Sequence, residues 1–263
     1  MNLADKFIPI QNAWQRLTRG KTDKNFSLSD LSGLDGKGIQ FVMHCPYDNK
    51  KGVHAVLLRG LELGADEFEL NVASNIYDCP FISYGKMKMG KNLMSLATCF
   101  AMIRKEIGDT NVLLQFKSMP TEDLIDNIKE VCQSYPGIKI WVGSLNWQIL
   151  KAVFEMWPEV ETFRLNGTPF MTRKVREFLV GMLGAGKHVS VSFTFWQNCA
   201  KIPVLGYPIR CLVKDAILNA MADGMDVQIA ATVSEKSIKK ALRQYWDWWP
   251  YEVDNRLVVY LHS

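Results

Sequence analysis

Apolar and polar positions along this chain alternate between two rhythms. After about residue 37, short runs rich in β-branched and other apolar residues are separated by longer stretches whose apolar positions recur at three and four. The short runs predict strands at 38–44, 67–72, 111–117, 138–145, 161–166, 188–195, 226–233 and 256–262. The longer stretches predict helices at 53–63, 92–107, 121–135, 147–157, 172–183, 209–222 and 234–246. Local signals agree with these boundaries. Gly64 and Gly108 follow helices, Thr121 and Ser234 stand where caps belong with acids just after them, and Pro136 and Pro158 sit beyond helix ends.

Strands that alternate with helices and read as apolar on both sides belong to a parallel α/β sheet. Eight of them fit a closed (β/α)₈ TIM barrel better than an open sheet, because closure leaves no edge strand to protect. The last strand ends at the chain's final residues, with no eighth helix after it. The expected cover for that strand is an N-terminal helix at 3–17, with Phe7, Ile10, Trp14 and Leu17 on one face, filling the eighth-helix position or capping the barrel bottom. The expected organisation is an N-terminal helical arm over 1–37 and one barrel domain over 38–263.

Composition narrows the function classes. The 263 residues are 48% hydrophobic, and 31 basic against 27 acidic residues leave a net charge of +4, with a pI near 8.6. No charge excess argues for a nucleic-acid partner. The first residues, MNLADKFIPIQNAWQRL, do not resemble a secretory signal, and no stretch approaches the ~18 apolar residues of a spanning helix. A cytoplasmic protein is expected, in which the sequons at Asn25 and Asn166 are chance matches. Six cysteines without a C-x-x-C pair argue against a zinc module or a disulfide scaffold.

In such a barrel, chemistry gathers at the C-terminal ends of the strands. Those ends supply His44, Glu69 with Asn71, Lys117, Ser144 with Asn146, Arg164 with Asn166, Gln197 with Asn198, Thr232 and His262. His44 and His262 fall on the first and last strands, which become neighbours on closure. They either form a pair at the mouth or each satisfy a local hydrogen bond. Ser190, Ser192 and Thr194 alternate along one strand and are expected to point inward.

The stretch GIQFVMH ending in His44, then LELGAD ending in Asp66, then EFELNV with Glu69 and Asn71, resembles the opening of glycerophosphodiester phosphodiesterases. Later pieces are similar in kind: VLLQFK with Gln115 and Lys117, IWVGS with Ser144, and ATVS. The resemblance implies a phosphodiesterase-like barrel and a divalent cation, Mg²⁺ or Ca²⁺, held by three carboxylates. Glu69 matches one such ligand. Asn71 and Gln115 stand where acids should, and the family's Glu-Asn-Thr position aligns with Lys51-Gly52-Val53 unless the loop offers Asp48-Asn49. Where the family has its second histidine, this chain has Tyr84-Gly85.

The expectation is therefore a divergent member that binds or acts on a phosphate-containing small molecule or lipid headgroup, with a degraded metal site, no cofactor and weak or no family-type hydrolysis. Mg²⁺ or Ca²⁺ would be expected only if the acidic set were intact after all. The alternative is a metal-independent phosphodiesterase with His44 as general base, His262 or Tyr84 as acid, and Lys51, Lys117 or Arg164 in place of the cation's charge.

Two segments resemble other chemistry. GMLGAGK over 181–187 matches most of a phosphate-binding P-loop, but it ends a helix and feeds a strand, whereas a P-loop does the reverse. The aromatic cluster YWDWWPY over 245–251 follows the last helix on the barrel's other face, where it either packs under a loop or serves docking of a partner or a second copy rather than catalysis. The KMKMGK loop over 86–91 should lie near the mouth as a basic rim or simply as a solvated loop.

Overall fold

A computed structural model describes residues 25–31, 39–45, 52–75, 77–82, 94–166, 171–193, 206–246 and 257–262. In chain order the elements are β1 (Ile39–Cys45), α1 (Gly52–Leu63), β2 (Glu67–Ser74), β3 (Pro80–Ile82), β4 (Met94–Ser95), α2 (Leu96–Glu106), β5 (Thr110–Phe116), α3 (Glu122–Ser134), β6 (Ile138–Ser144) and α4 (Trp147–Met156). They continue with β7 (Thr162–Leu165), α5 (Arg173–Gly184), β8 (His188–Ser192), α6 (Gly206–Ala222), β9 (Asp226–Thr232), α7 (Glu235–Trp246) and β10 (Leu257–His262). A 3₁₀ turn, Leu28–Asp30, precedes them.

Eight parallel strands run in the order β1-β10-β9-β8-β7-β6-β5-β2, and β1 pairs with β2 to close the ring. This is the expected α/β barrel. The predicted helix at 3–17 and the aromatic segment beyond residue 246 lie outside the described residues. Two strands were not expected: β3 returns antiparallel on β2, and β4 pairs antiparallel with β3. Segments of three and two residues carry no readable period.

Alternation along each strand sorts side chains into two cores. Phe68, Leu70 and Val72 of β2, Val112 and Leu114 of β5, Val189 and Val191 of β8 and Val227 and Ile229 of β9 pack outward with the helices in one large apolar cluster. Val42, Leu113, Val258 and Tyr260 face inward and form a smaller cluster with Trp141 and Ala230. The residues between the outward ones are therefore interior: Glu67, Glu69 and Asn71 on β2, and Ser190 and Ser192 on β8. Gln228 Nε2 on β9 reaches Ser190 Oγ at 2.5 Å, which agrees with the inward direction expected for the serines.

Helix ends follow local chemistry. Ser95, Thr121, Asn146 and Thr172 each accept a first-turn N–H through their side chains, and Gly186 turns the chain after α5 at φ +78°. Lys187 N–H donates to Met182 O across that turn, so the P-loop-like segment is a helix C-cap.

The barrel interior also holds an ion pair. Arg164 of β7, 1% exposed, meets the fully buried Glu67 of β2, Nη1 to Oε1 and Nη2 to Oε2, the latter at 2.9 Å. Gln40 Nε2 donates to Glu67 Oε2 at 3.2 Å, and the Arg164 guanidinium lies 4.5 Å from the centroid of the Trp141 ring. Burial opposes the guanidinium's charge, but Glu67 and the Tyr260 hydroxyl outweigh it and hold the Arg164 pKa above its ordinary value. Removing one partner strands a buried charge, which costs roughly 3–5 kcal/mol. Glu67→Gln is thus expected to lower unfolding free energy by about that amount in urea titration, and Glu67→Leu combined with Arg164→Met by clearly less.

Close packing sets a second constraint on the outer side. A Cβ added at Gly60 of α1 would lie 2.5 Å from Phe68 Cε1, and Phe68 is buried. Alanine would gain about 1 kcal/mol of helix propensity and lose roughly 1–3 kcal/mol to overpacking. Gly60→Ala should therefore lower the melting temperature despite its better propensity.

Candidate functional site

The polar interior positions converge at the C-terminal end of the barrel. His44 on β1 and Glu69 on β2 are level in the parallel ladder, and both follow the inward alternation. Nδ1 of His44 lies 2.9 Å from Glu69 Oε1. The Glu69 side chain is 2% exposed and that of His44 is 14% exposed, so the carboxylate is sealed while the ring reaches the surface. With Nδ1–H donating to Glu69, the lone pair sits on Nε2. This is the arrangement of a general base oriented by a carboxylate.

One strand further round, Asn71 of β2 is level with Gln115 of β5. Lys117, the residue after β5, returns to donate from Nζ to Gln115 Oε1 at 2.7 Å. Burial pushes the Lys117 ammonium down to about 8, against the pull of the Glu69 carboxylate. Asn71 is completely buried, and neither its Nδ2 nor its Oδ1 has a hydrogen-bond partner among the described residues. His44, Glu69, Asn71, Gln115 and Lys117 thus come together at one side of the mouth.

The remaining expected residues divide. Arg164 is a correction: it was expected at the mouth, but it lies inside the barrel and is engaged by Glu67. Its partners Glu67, Gln40, Trp141 and Tyr260 were not anticipated, although Glu67 shares the i, i+2 inward row with Glu69 and Asn71. His262 ends β10 level with Thr232, and Leu261 before it is level with Met43 of β1, so its backbone stands beside that of His44. Its side chain lies outside the described residues, as do Lys51, Tyr84, Asp48, Asn49, Gln197 and Asn198.

Ser144 and Asn146 serve the scaffold. Ser144 Oγ donates to Phe116 O at 2.9 Å, and the Asn146 side chain caps α4. Asn166, just past β7, has a buried Oδ1 with no partner among the described residues. Among the described residues no group of three or more His, Cys, Asp and Glu side chains is placed to hold a metal ion. Nor is any described helix long and apolar enough to cross a membrane.

With this geometry in hand, comparison with solved structures gives the fold its neighbours. An Oleispira antarctica phosphodiesterase in complex with its product sn-glycerol-3-phosphate superposes with a TM-score of 0.58 at 14% identity, over 84% of this chain and 92% of that one. A glycerophosphodiester phosphodiesterase from Agrobacterium tumefaciens gives 0.51 at 9% identity, over 84% and 94%. A GH18 chitinase from Pseudoalteromonas aurantia also gives 0.51, at 11% identity over 85% and 94%. No family model matches the chain, and no curated protein matches it. The chain has the TIM-barrel fold of glycerophosphodiester phosphodiesterases, a fold that a chitinase also shares.

The mouth's electrostatics can be checked directly. In an NMR titration the Lys117 ammonium should lose its proton near pH 8. Glu69→Gln removes the charge that favours the ammonium and should move that midpoint lower; an unchanged or higher midpoint would show that Glu69 does not act on Lys117.

Proposed function

We propose that the barrel binds a phosphodiester of the glycerol or lipid-headgroup type at its mouth and acts on it with its own side chains in place of a divalent cation. The observation that carries this reading is the pairing of two units within one cluster: a histidine oriented by a sealed carboxylate and an ammonium held by an amide. The barrel shared with a phosphodiesterase that holds sn-glycerol-3-phosphate supports the choice of ligand.

The described donors do not fit the family's cation. Of Glu69, Asn71 and Gln115 only Glu69 is anionic, its Oε1 faces His44, and Gln115 Oε1 already accepts from the Lys117 ammonium. A hard cation takes anionic and neutral oxygens without an ammonium among them. Lys117 supplies the positive charge instead, opposite the non-bridging phosphate oxygens.

In this reading, Nε2 of His44 takes a proton from the attacking water as its oxygen bonds to phosphorus. The bond from phosphorus to the leaving alcohol oxygen breaks, and that oxygen is protonated by His262, Tyr84 or solvent, so a phosphomonoester and an alcohol leave. The neutral amides Asn71 and Gln115 favour a second reading, a binding barrel without turnover, of the kind called a pseudoenzyme.

An assay of glycerophosphodiesters and lysophospholipids in the presence of chelator separates the two. The expected result is chelator-resistant turnover that falls by at least ~10²-fold in His44→Ala. Saturable binding without turnover leaves the second reading standing. Absence of both turnover and binding ends the phosphodiester assignment.

A further inference from the structure

Hydrolysis at the mouth needs one proton taken and another given. In a single in-line step the attacking and leaving oxygens stand on opposite sides of phosphorus, so one imidazole cannot serve both. His44 is the base in the reading above, with its Nδ1 side turned to Glu69. The rest of the described cluster consists of that carboxylate, the amides Asn71 and Gln115, and the Lys117 ammonium. A side-chain amide does not release a proton to an alkoxide, whereas an ammonium does.

Register puts the ammonium on the side away from the base. β2 pairs with β1 along one edge and with β5 along the other, so His44 and Lys117 come from the two strands that flank β2. Two strand spacings amount to roughly 10 Å, which leaves room for phosphorus between the two groups with a hydrogen-bonded oxygen toward each. Both residues are open to the mouth: the His44 side chain is 14% exposed and Lys117 is half-buried, in contrast to the fully buried Asn71.

The partner of Lys117 is also suited to a proton donor. Nζ donates to Gln115 Oε1 at 2.7 Å. A carboxylate at that position would add an opposite charge and favour ammonium over amine. The amide aims the group without that charge. Burial acts in the same direction and brings the ammonium down to about 8, against the pull of Glu69.

From this we infer that Lys117 is the general acid that protonates the leaving alcohol, and that Gln115 is its positioning residue. The inference rests on the phosphodiester reading and gives Lys117 the step which that reading leaves to His262, Tyr84 or solvent. As the water oxygen bonds to phosphorus, Nε2 of His44 takes a proton from it. As the bond from phosphorus to the leaving oxygen breaks, a proton passes from Lys117 Nζ to that oxygen. A phosphomonoester and an alcohol leave, His44 is then charged and Lys117 neutral, and proton exchange with solvent restores both.

The test compares two esters of sn-glycerol-3-phosphate in the presence of chelator. Glycerophosphocholine releases an alkoxide that needs a proton, and the p-nitrophenyl ester releases a phenolate that does not. Wild type should turn over both. Lys117→Arg keeps the positive charge but has no proton to give near neutral pH. It should lower kcat for glycerophosphocholine by at least ~10²-fold and leave the p-nitrophenyl ester close to wild type. Gln115→Glu should show the same split to a smaller degree.

A Lys117→Arg enzyme that keeps its glycerophosphocholine turnover overturns the inference. So does one that melts like wild type and loses both esters equally, because charge alone then accounts for Lys117. If Lys117→Arg does not fold, Gln115→Glu decides: a split between the esters upholds the inference, and an equal effect or none overturns it. Wild type that cleaves only the p-nitrophenyl ester also overturns it and leaves the phosphodiesterase reading in place. Wild type that cleaves neither ends turnover at this mouth, and the general acid with it.

Discussion

A guanidinium inside a barrel is always charged, so the interior must supply its counter-charge. Arg164 imposes that condition here and Glu67 meets it, joining β7 to β2 across the ring. Gln40 and Tyr260 add hydrogen-bond partners from two further strands, with Trp141 beneath the guanidinium plane. The consequence for the site is indirect. Arg164 Nη1 and Nη2 are committed to Glu67 within the barrel, and Lys117 carries the positive charge of the described cluster.

That cluster is held by short-range ladder geometry. His44 and Glu69 meet because they are level on adjacent strands and both face inward. Lys117 and Gln115 meet because they are two apart on the same side of one strand and its extension. Each pair thus follows from register, and the sheet rather than the loops fixes the separation of imidazole and ammonium. A site built this way is pre-organised. Its cost is the unsatisfied amide of Asn71, which the scaffold bears in the free protein.

Much of this was legible in the sequence. The two periodicities placed the strands and helices of the barrel to within a few residues, strand ends gave His44, Glu69, Asn71 and Lys117, and the family resemblance added Gln115. The depth of Arg164 was not legible. Its position near the end of β7 suggests the mouth, but its partner lies 97 positions away in sequence, and no local pattern reports such a pairing. The β3–β4 ribbon was missed for a different reason: elements of two or three residues are defined by what they pair with.

Closure has a consequence in time. β1 completes the ring by pairing with both β2 and β10, so its outer edge has no neighbour until residues 257–262 are in place. Until β10 pairs with it, β1 presents a row of unpaired backbone donors and acceptors on that side. His44, on that strand, therefore gains its neighbour on that side only when β10 docks, so a chain that has made β1 and β2 carries parts of its mouth before it has one.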